Sequence, residues 1–261
     1  MIRMEGEQKS FFSDQQLDQL LEKFHTLVDR SNDLLLAYTY FPFTSPRARE
    51  YAQHGFSRRV GTLSKSIRNL YRIIPPETVE VPDRELLYDA QINIQACVAN
   101  TYGCIDNLAW IWIYESGLGD AIPRNRVGFR KGNKEVRASL PPAIRDYLDS
   151  IDAWLEYLIE YRDAVAHRIP LYIPPGNVPK GVVGEYNALS QQMTDALNKL
   201  DSAGYDRLKD ELEKLLVFQP VMTHSVTEAT KHVYFHAQLL ADFATVEELA
   251  NKMLAEFKSR S

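Results

Sequence analysis

Residues 82–117 read PDRELLYDAQINIQACVANTYGCIDNLAWIWIYESG, and this stretch decides the fold. Pro82 and Asp83 favour the start of a helix, and Gly117 favours its end. Between these signals, apolar side chains recur at helical spacing. The pattern predicts one long helix from about residue 82 to residue 116, with a stripe formed by Leu86, Ile94, Cys97, Tyr102, Ile105, Leu108 and Ile111.

Helical periodicity also dominates on both sides of this stretch. Ser13 and Gln16 form a capping box, which predicts a helix that runs to about Tyr40. Strand signals are scarce, although residues 217–223 look extended. We therefore predict an all-α fold, a bundle of long antiparallel helices in a single domain over residues 1–261. The other predicted helices cover about 47–74, 139–167, 183–200, 205–216 and 226–257, with Ser139 as the N-cap of the second of these.

The composition is that of a globular protein. The chain has 261 residues, of which 45% are hydrophobic and 11% aromatic, enough for a sizeable core. Two cysteines exclude a disulfide-stapled secreted scaffold. Residues 1–10 lack the apolar region of a signal peptide, and the longest apolar runs, such as 108–114, are too short to span a bilayer. We expect a cytoplasmic protein without a membrane partner.

Charge is segregated along the chain. The formal net charge of −5 argues against a dedicated nucleic-acid binder. Residues 47–72, however, hold seven basic groups and one acidic group, a net +6, and residues 124–137 hold six and one, a net +5. Such clusters bind phosphates even when the total charge is negative. Alternatively, these basic segments pair with acidic helices and stay solvated.

The helix predicted over 139–167 contains one anomaly. Arg162 stands where the apolar stripe requires a core residue, and a buried guanidinium needs a partner or a polar cleft. His167 lies near the predicted end of the helix, four residues after Asp163 and on the same face. We infer that Asp163 holds the imidazole of His167 in one tautomer. The stripe that Arg162 interrupts consists of Leu148, Ile151, Leu155, Leu158, Val165 and Ile169.

Residues 162–167, Arg-Asp-Ala-Val-Ala-His, resemble the R-x4-6-H motif of the HEPN superfamily (higher eukaryotes and prokaryotes nucleotide-binding). A polar residue often follows the arginine of that motif, and Asp163 fits. The resemblance covers about residues 82–175 and implies a core built on a long antiparallel helix pair, flanked by helices at 13–74 and 183–258. A second match, Arg49 to His54, lies within a predicted helix and far from any loop, so we assign the site to the first.

The resemblance also implies a chemistry. Many family members are metal-independent endoribonucleases that act as toxins or in defence. In such an enzyme Arg162 stabilises charge on the phosphate, and His167 takes the proton of the 2′-hydroxyl or protonates the leaving 5′-oxygen. We therefore expect RNA or a nucleotide as partner, no metal and no cofactor, and an antitoxin that restrains the activity. The residues expected to guide RNA are Arg124, Arg126, Arg130, Lys131, Arg137 and Arg168.

The spacing of the motif bears on the oligomeric state. Five residues turn a helix by about 500°, so Arg162 and His167 point about 140° apart. They converge only if the helix unwinds before His167 or if a second chain supplies one of them. The second option fits the dimeric cleft of the family, and it predicts a homodimer with a composite site.

Two other functions stay open. One is a non-catalytic HEPN-like nucleotide-binding or adaptor module with the same fold. The other is a helical interaction protein in which Arg162 forms a buried ion pair and His167 caps the helix C-terminus. P-loop, dinucleotide-binding, zinc-protease and α/β-hydrolase motifs are absent from the sequence. Glu228, His232 and His236 have a spacing that can hold a metal, but we interpret them as a polar stripe.

Overall fold

A computed structural model describes residues 10–225 and 232–260, and its helices confirm the predicted all-α class. Within these residues, paired strands are confined to one short antiparallel pair, β1 (Val221–Met222) and β2 (Val233–Tyr234). The α-helices are α1 (Asp14–His25), α2 (Leu27–Tyr40), α3 (Pro46–Glu50), α4 (Ser57–Ile73), α5 (Arg84–Glu115), α6 (Lys134–Ser139), α7 (Pro142–Ser150), α8 (Asp152–His167), α9 (Val183–Asn198), α10 (Ser202–Glu213) and α11 (Phe235–Arg260).

Helix α5 is the long helix predicted from residues 82–117. The Asp83 carboxylate caps it by accepting a hydrogen bond from the amide of Leu86 at 2.9 Å. Gly117 follows the helix with φ +69°, a left-handed conformation that costs glycine little. Most of the predicted stripe is buried, while Leu86 is exposed and Tyr102 is half-buried; the buried members are Ile94, Cys97, Ile105, Leu108 and Ile111.

Helix α4 packs antiparallel along α5. Asn69 near the end of α4 donates to Asn93 of α5, and Arg59 near its start donates to Asn107. The predicted helix over 47–74 is confirmed as the run from Pro46 to Ile73, but Tyr51–Phe56 form a π-helical segment inside it.

Helix α8 also runs antiparallel to α5. The Arg162 guanidinium lies over the ring of Tyr102, and Gln95, two turns earlier in α5, donates to the carbonyl of Leu171 beyond the end of α8. Residues close to the end of α8 therefore lie beside the middle of α5.

Helix α11 completes the packing around α5. Phe257 lies 5.8 Å from Trp112, ring centre to ring centre. Trp154 of α8 donates to Asp242 of α11 at 2.8 Å. Helices outside residues 82–175 therefore contribute directly to the core around α5.

The predicted first helix is broken once. Its capping box is confirmed, because the Ser13 hydroxyl accepts from the Gln16 amide and the Gln16 side chain accepts from the Ser13 amide. The break between α1 and α2 lies at Thr26, whose hydroxyl donates to the carbonyl of Lys23. A threonine hydroxyl that binds a nearby carbonyl competes with regular helix geometry.

The prediction of one helix over 139–167 is wrong. The chain forms α7 and α8, separated at Ile151, whose ψ of 10° is outside the helical range. Ser139 is the last residue of α6 and no N-cap: its hydroxyl donates to the Val136 carbonyl and accepts from the indole of Trp112. A side-chain partner on α5 thus fixes the end of α6.

The predicted helices over 183–200 and 205–216 are confirmed as α9 and α10. The last predicted helix begins later than expected, at Phe235, because Val233–Tyr234 pair with Val221–Met222. Residues 226–231, where the prediction placed its start, lie outside the described residues. Among the helices described, none combines the length and the apolar character that crossing a bilayer requires.

Candidate functional site

The predicted motif lies on the last two turns of α8. Helical backbone continues through His167, and the amide of Arg168 still bonds back to the carbonyl of Ala164. The helix therefore does not unwind before His167. Arg162 and His167 of one chain thus point in different directions and do not meet.

Arg162 faces α5. Its guanidinium carbon lies 4.2 Å from the centre of the Tyr102 ring, a close cation–π contact. Nη1 forms an ion pair of 2.9 Å with Asp163, the next residue. The Nε–H is buried and has no acceptor among the described residues. Arg162 is therefore half-buried, and the described residues do not satisfy all of its N–H donors.

Asp163 and His167 do not form the predicted pair in this structure. The Asp163 carboxylate binds Arg162. His167 is exposed at the end of α8, and its side chain has no hydrogen bond or ion pair with any described residue. The imidazole is free to contact a ligand or a second copy of the chain.

Two further arginines join Arg162 beside the middle of α5. Arg130, from the loop before α6, donates to the Tyr102 hydroxyl at 2.6 Å from Nη2 and at 3.2 Å from Nε. Arg59, from α4, donates at 3.1 Å to Asn107. Its guanidinium packs directly on Gly103, where any Cβ would overlap it. We call Arg59, Arg130 and Arg162 the arginine cluster.

Asp106 of α5 is a second carboxylate of this region, besides Asp163. Burial raises its pKa to about 6, an effect that the three positive charges of the arginine cluster and the hydroxyl of Tyr102 only partly offset. No described arginine or lysine lies within 4.0 Å of it as an ion pair. Near neutral pH the cluster therefore carries more positive charge than its local carboxylates compensate.

The remaining predicted RNA contacts have different surroundings. Arg124 and Arg126 are exposed, the first over the Trp110 ring at 5.5 Å and the second paired with Glu135 at 2.9 Å. Lys131 is exposed and pairs with Asp152 at 3.1 Å. These side chains are accessible to a polyanion, but the structure does not bring them into the arginine cluster.

Arg137 and Arg168 also lie outside the cluster. Arg137 is buried, and its Nε, Nη1 and Nη2 donate to the carbonyl of Phe129, to Asp149 and to Asp152. Arg168 is exposed and donates to the carbonyl of Glu160 on α8. Of the six predicted RNA contacts, Arg130 is thus the one that the fold places beside Arg162.

Several residues of this site have no distinctive signal in the sequence. Arg59 was one basic residue among seven in its segment, and Tyr102 was assigned to the apolar stripe. Asp106 carried a usable signal, because it is the one charged residue between positions 90 and 114. An isolated charge in an otherwise uncharged helix indicates a specific partner. Only the packing of α4 and α8 on α5 shows that the charges acting on Asp106 include those of Arg59 and Arg162.

Other candidate sites are less well formed. No group of three His, Cys, Asp or Glu side chains in the described ranges is arranged to hold a metal. His236 is buried and bonds the carbonyl of Ile74 at 2.6 Å, while Glu228 lies outside the described residues. A groove of about 1250 Å³ lies between the start of α5 and α10, and it is lined by no residue of the motif or of the arginine cluster.

Comparisons with known proteins do not assign the chain. No family model matches it, and no curated protein or solved structure matches it either.

Proposed function

We propose that the protein is a metal-independent endoribonuclease of the HEPN type, which cleaves RNA through attack of a 2′-hydroxyl and acts as a homodimer. The observation that carries the proposal is the position of the motif. Arg162 ends in the arginine cluster beside α5, and His167, one and a half turns later, is exposed and unpaired. The antiparallel packing of α8 on α5 agrees with the helix pair that the HEPN resemblance implies.

The two motif residues have complementary chemical abilities. The 2′-oxygen attacks the adjacent phosphorus as it loses its proton, and the bond to the 5′-oxygen breaks as that oxygen gains one. His167 transfers protons at these oxygens. Arg162 donates hydrogen bonds to the non-bridging oxygens, where negative charge accumulates. The products are a 2′,3′-cyclic phosphate and a free 5′-hydroxyl.

A second copy of the chain completes this site. Within one chain the motif residues point about 140° apart on an uninterrupted helix. His167 is exposed and therefore able to reach the cluster of a partner in a two-fold dimer. Solution scattering or sedimentation should therefore give the mass of a dimer, and a monomer at working concentration would overturn the composite site.

Cleavage assays test the catalytic proposal. Arg162→Ala and His167→Ala should each abolish cleavage of single-stranded RNA and formation of the cyclic phosphate, with unchanged circular dichroism. His54→Ala is the matched control, because His54 belongs to the other Arg-x4-His match and lies on the π-helical segment. Equal cleavage by wild-type protein and His167→Ala would overturn the proposal.

Mixing the two inactive variants tests the composite site. A heterodimer of Arg162→Ala and His167→Ala chains contains one site with both functional groups and one site with neither. After equilibration of equal amounts, about a quarter of the wild-type sites should be restored. No recovery, with exchange of subunits confirmed by mass spectrometry, would place both groups in one chain and overturn the composite arrangement.

A toxin or defence role extends the same proposal. Expression of the wild-type chain should then arrest growth, and His167→Ala should relieve the arrest. Co-expression of a neighbouring gene product that restores growth would identify an antitoxin.

A second candidate function is a non-catalytic module that binds RNA or a nucleotide. The arginine cluster favours it, because one chain assembles this cluster without any contribution from His167. Under this function the wild-type protein binds RNA with a steep dependence on salt and without turnover. Cleavage lost in His167→Ala would exclude it.

A further inference from the structure

Neutral side chains hold much of the arginine cluster. Arg130 donates to the Tyr102 hydroxyl, and Arg59 donates to the side-chain oxygens of Asn107 and Asn100. Neither arginine forms an ion pair with a carboxylate among the described residues. Arg137, by contrast, faces two carboxylates. The cluster is therefore positioned by the protein while its charge remains available to an anion.

The members of the cluster come from separate parts of the fold and converge on one helical turn. The guanidinium carbons of Arg130 and Arg162 lie 5.4 Å and 4.2 Å from the centre of the same Tyr102 ring. Arg59 covers Gly103, the next residue of α5. All three side chains are partly exposed, so a ligand from solvent can reach them. Convergent guanidinium groups suit the oxygens of a phosphate, which accept several charge-assisted hydrogen bonds.

We propose that Arg59, Arg130 and Arg162 form a binding site for a phosphate of the RNA backbone, and that Asp106, besides the Asp163 already paired with Arg162, is a resident counter-charge with which this phosphate competes. The inference rests on the proposed function for the choice of RNA as ligand. Asp106 lies one helical turn after Tyr102 on α5, is half-buried, and is near enough to all three arginines for their charges to act on its carboxylate. Its carboxylate neutralises part of the charge in the free protein and repels an entering phosphate.

The proposed role of Asp106 predicts a gain of RNA affinity on its substitution, and a misfolded variant would not show such a gain. Asp106→Asn removes the competing charge and keeps the shape of the side chain. This variant should bind RNA about five- to ten-fold more tightly than the wild type. A loss of affinity, or no change, would overturn the counter-charge role.

The test uses a probe that cannot be cleaved. A short single-stranded RNA with 2′-O-methyl riboses lacks the attacking hydroxyl, so its binding is independent of catalysis. Arg59→Ala and Arg130→Ala should each weaken its binding about ten-fold or more. Arg68→Ala is the matched control, because Arg68 is an exposed arginine of the same helix α4, about half a helical rotation away from Arg59. Arg59→Lys should fall between wild type and Arg59→Ala, because it keeps the charge but loses the fork of donors.

The outcomes separate this inference from the catalytic proposal. If Arg59→Ala and Arg130→Ala weaken binding of the probe but the wild type does not cleave ordinary RNA, the phosphate site is supported and the ribonuclease proposal is overturned. If the wild type cleaves RNA but Arg59→Ala and Arg130→Ala bind the probe with unchanged affinity, the phosphate site is overturned and the ribonuclease proposal is supported. Binding of adenosine monophosphate is measured on the same variants. If Arg59→Ala and Arg130→Ala weaken its binding while the RNA probe does not bind, RNA is overturned as the source of the phosphate.

Discussion

Arg137 and Asp152 join α6, at the end of the basic segment 124–137, to the start of the helix that carries the motif. Nη2 of Arg137 donates to Oδ1 of Asp152, and both side chains are about 90% shielded from solvent. The same guanidinium binds Asp149 at 2.6 Å and the carbonyl of Phe129 at 2.9 Å. This residue, which the sequence suggested as an RNA contact, therefore connects three segments of the fold.

Removal of the Arg137 side chain should destabilise the protein. Arg137→Ala leaves Asp152, whose side chain is largely shielded, with the exposed Lys131 as its remaining cationic partner, and loss of one member of a shielded ion pair costs about 3 kcal/mol. Urea unfolding measures this change in the free energy of unfolding. Arg126→Ala is the control, since that exposed arginine and Glu135 form a surface pair that contributes about 0.5 kcal/mol or less. Equal, small changes in both variants would contradict the structural role of Arg137.

Local signals in the sequence predicted a large part of the fold. The capping box at Ser13 and Gln16 and the Asp83 cap of α5 depend on residues three positions apart, so the sequence shows them directly. The apolar stripe of α5 was visible for the same reason. Arg162 was found because it interrupts a helical pattern, and that too is a local property.

Features that depend on distant residues could not be predicted in this way. The end of α6 at Ser139 is fixed by the indole of Trp112, 27 residues earlier. The arginine cluster requires α4, the loop before α6 and α8 to meet on one turn of α5. Nothing in the basic segments distinguishes Arg59 or Arg130, which face neutral acceptors, from Arg137, which faces carboxylates.

The buried carboxylate of Asp242 should make stability depend on pH. It is fully buried on α11, and burial raises its pKa to about 6, although bonds from Trp154 and Gln238 favour the charged form. The folded state therefore binds more protons than the unfolded state between about pH 4 and pH 6. The contribution of Asp242 to stability is thus greatest at low pH and falls as pH rises through this window, by about 2–3 kcal/mol.

Comparison with Asp242→Asn isolates this contribution. His236 acts in the opposite direction, because burial lowers its pKa to about 4 and its contribution is lost as pH falls. The wild type and Asp242→Asn both contain His236 and Asp106. The pH dependence that these two residues contribute therefore cancels when the two free energies of unfolding are subtracted. Urea unfolding at pH 4.5 and pH 7.5 should show Asp242→Asn gaining stability relative to the wild type at the higher pH. A difference that does not change with pH would show that the carboxylate is not buried as described.

Gly103 offers a way to disturb the arginine cluster without removing a charge. Alanine favours a helix interior over glycine by about 1 kcal/mol, but a Cβ at position 103 overlaps the Arg59 guanidinium. The flexible end of Arg59 must then move away from Asn107. Gly103→Ala should therefore fold with unchanged or higher stability and bind the 2′-O-methyl RNA about five-fold more weakly.

Gly61→Ala provides the matched control for this substitution. Gly61 lies in α4, and no atom lies within 4 Å of the position that its Cβ would take. This variant should gain a similar amount of stability from helix propensity and keep the affinity of the wild type. If both variants bind the RNA as the wild type does, the position of Arg59 on Gly103 has no part in recognition. If only Gly103→Ala loses affinity, the loss follows the displaced guanidinium, since the net charge of the chain is the same in all three proteins.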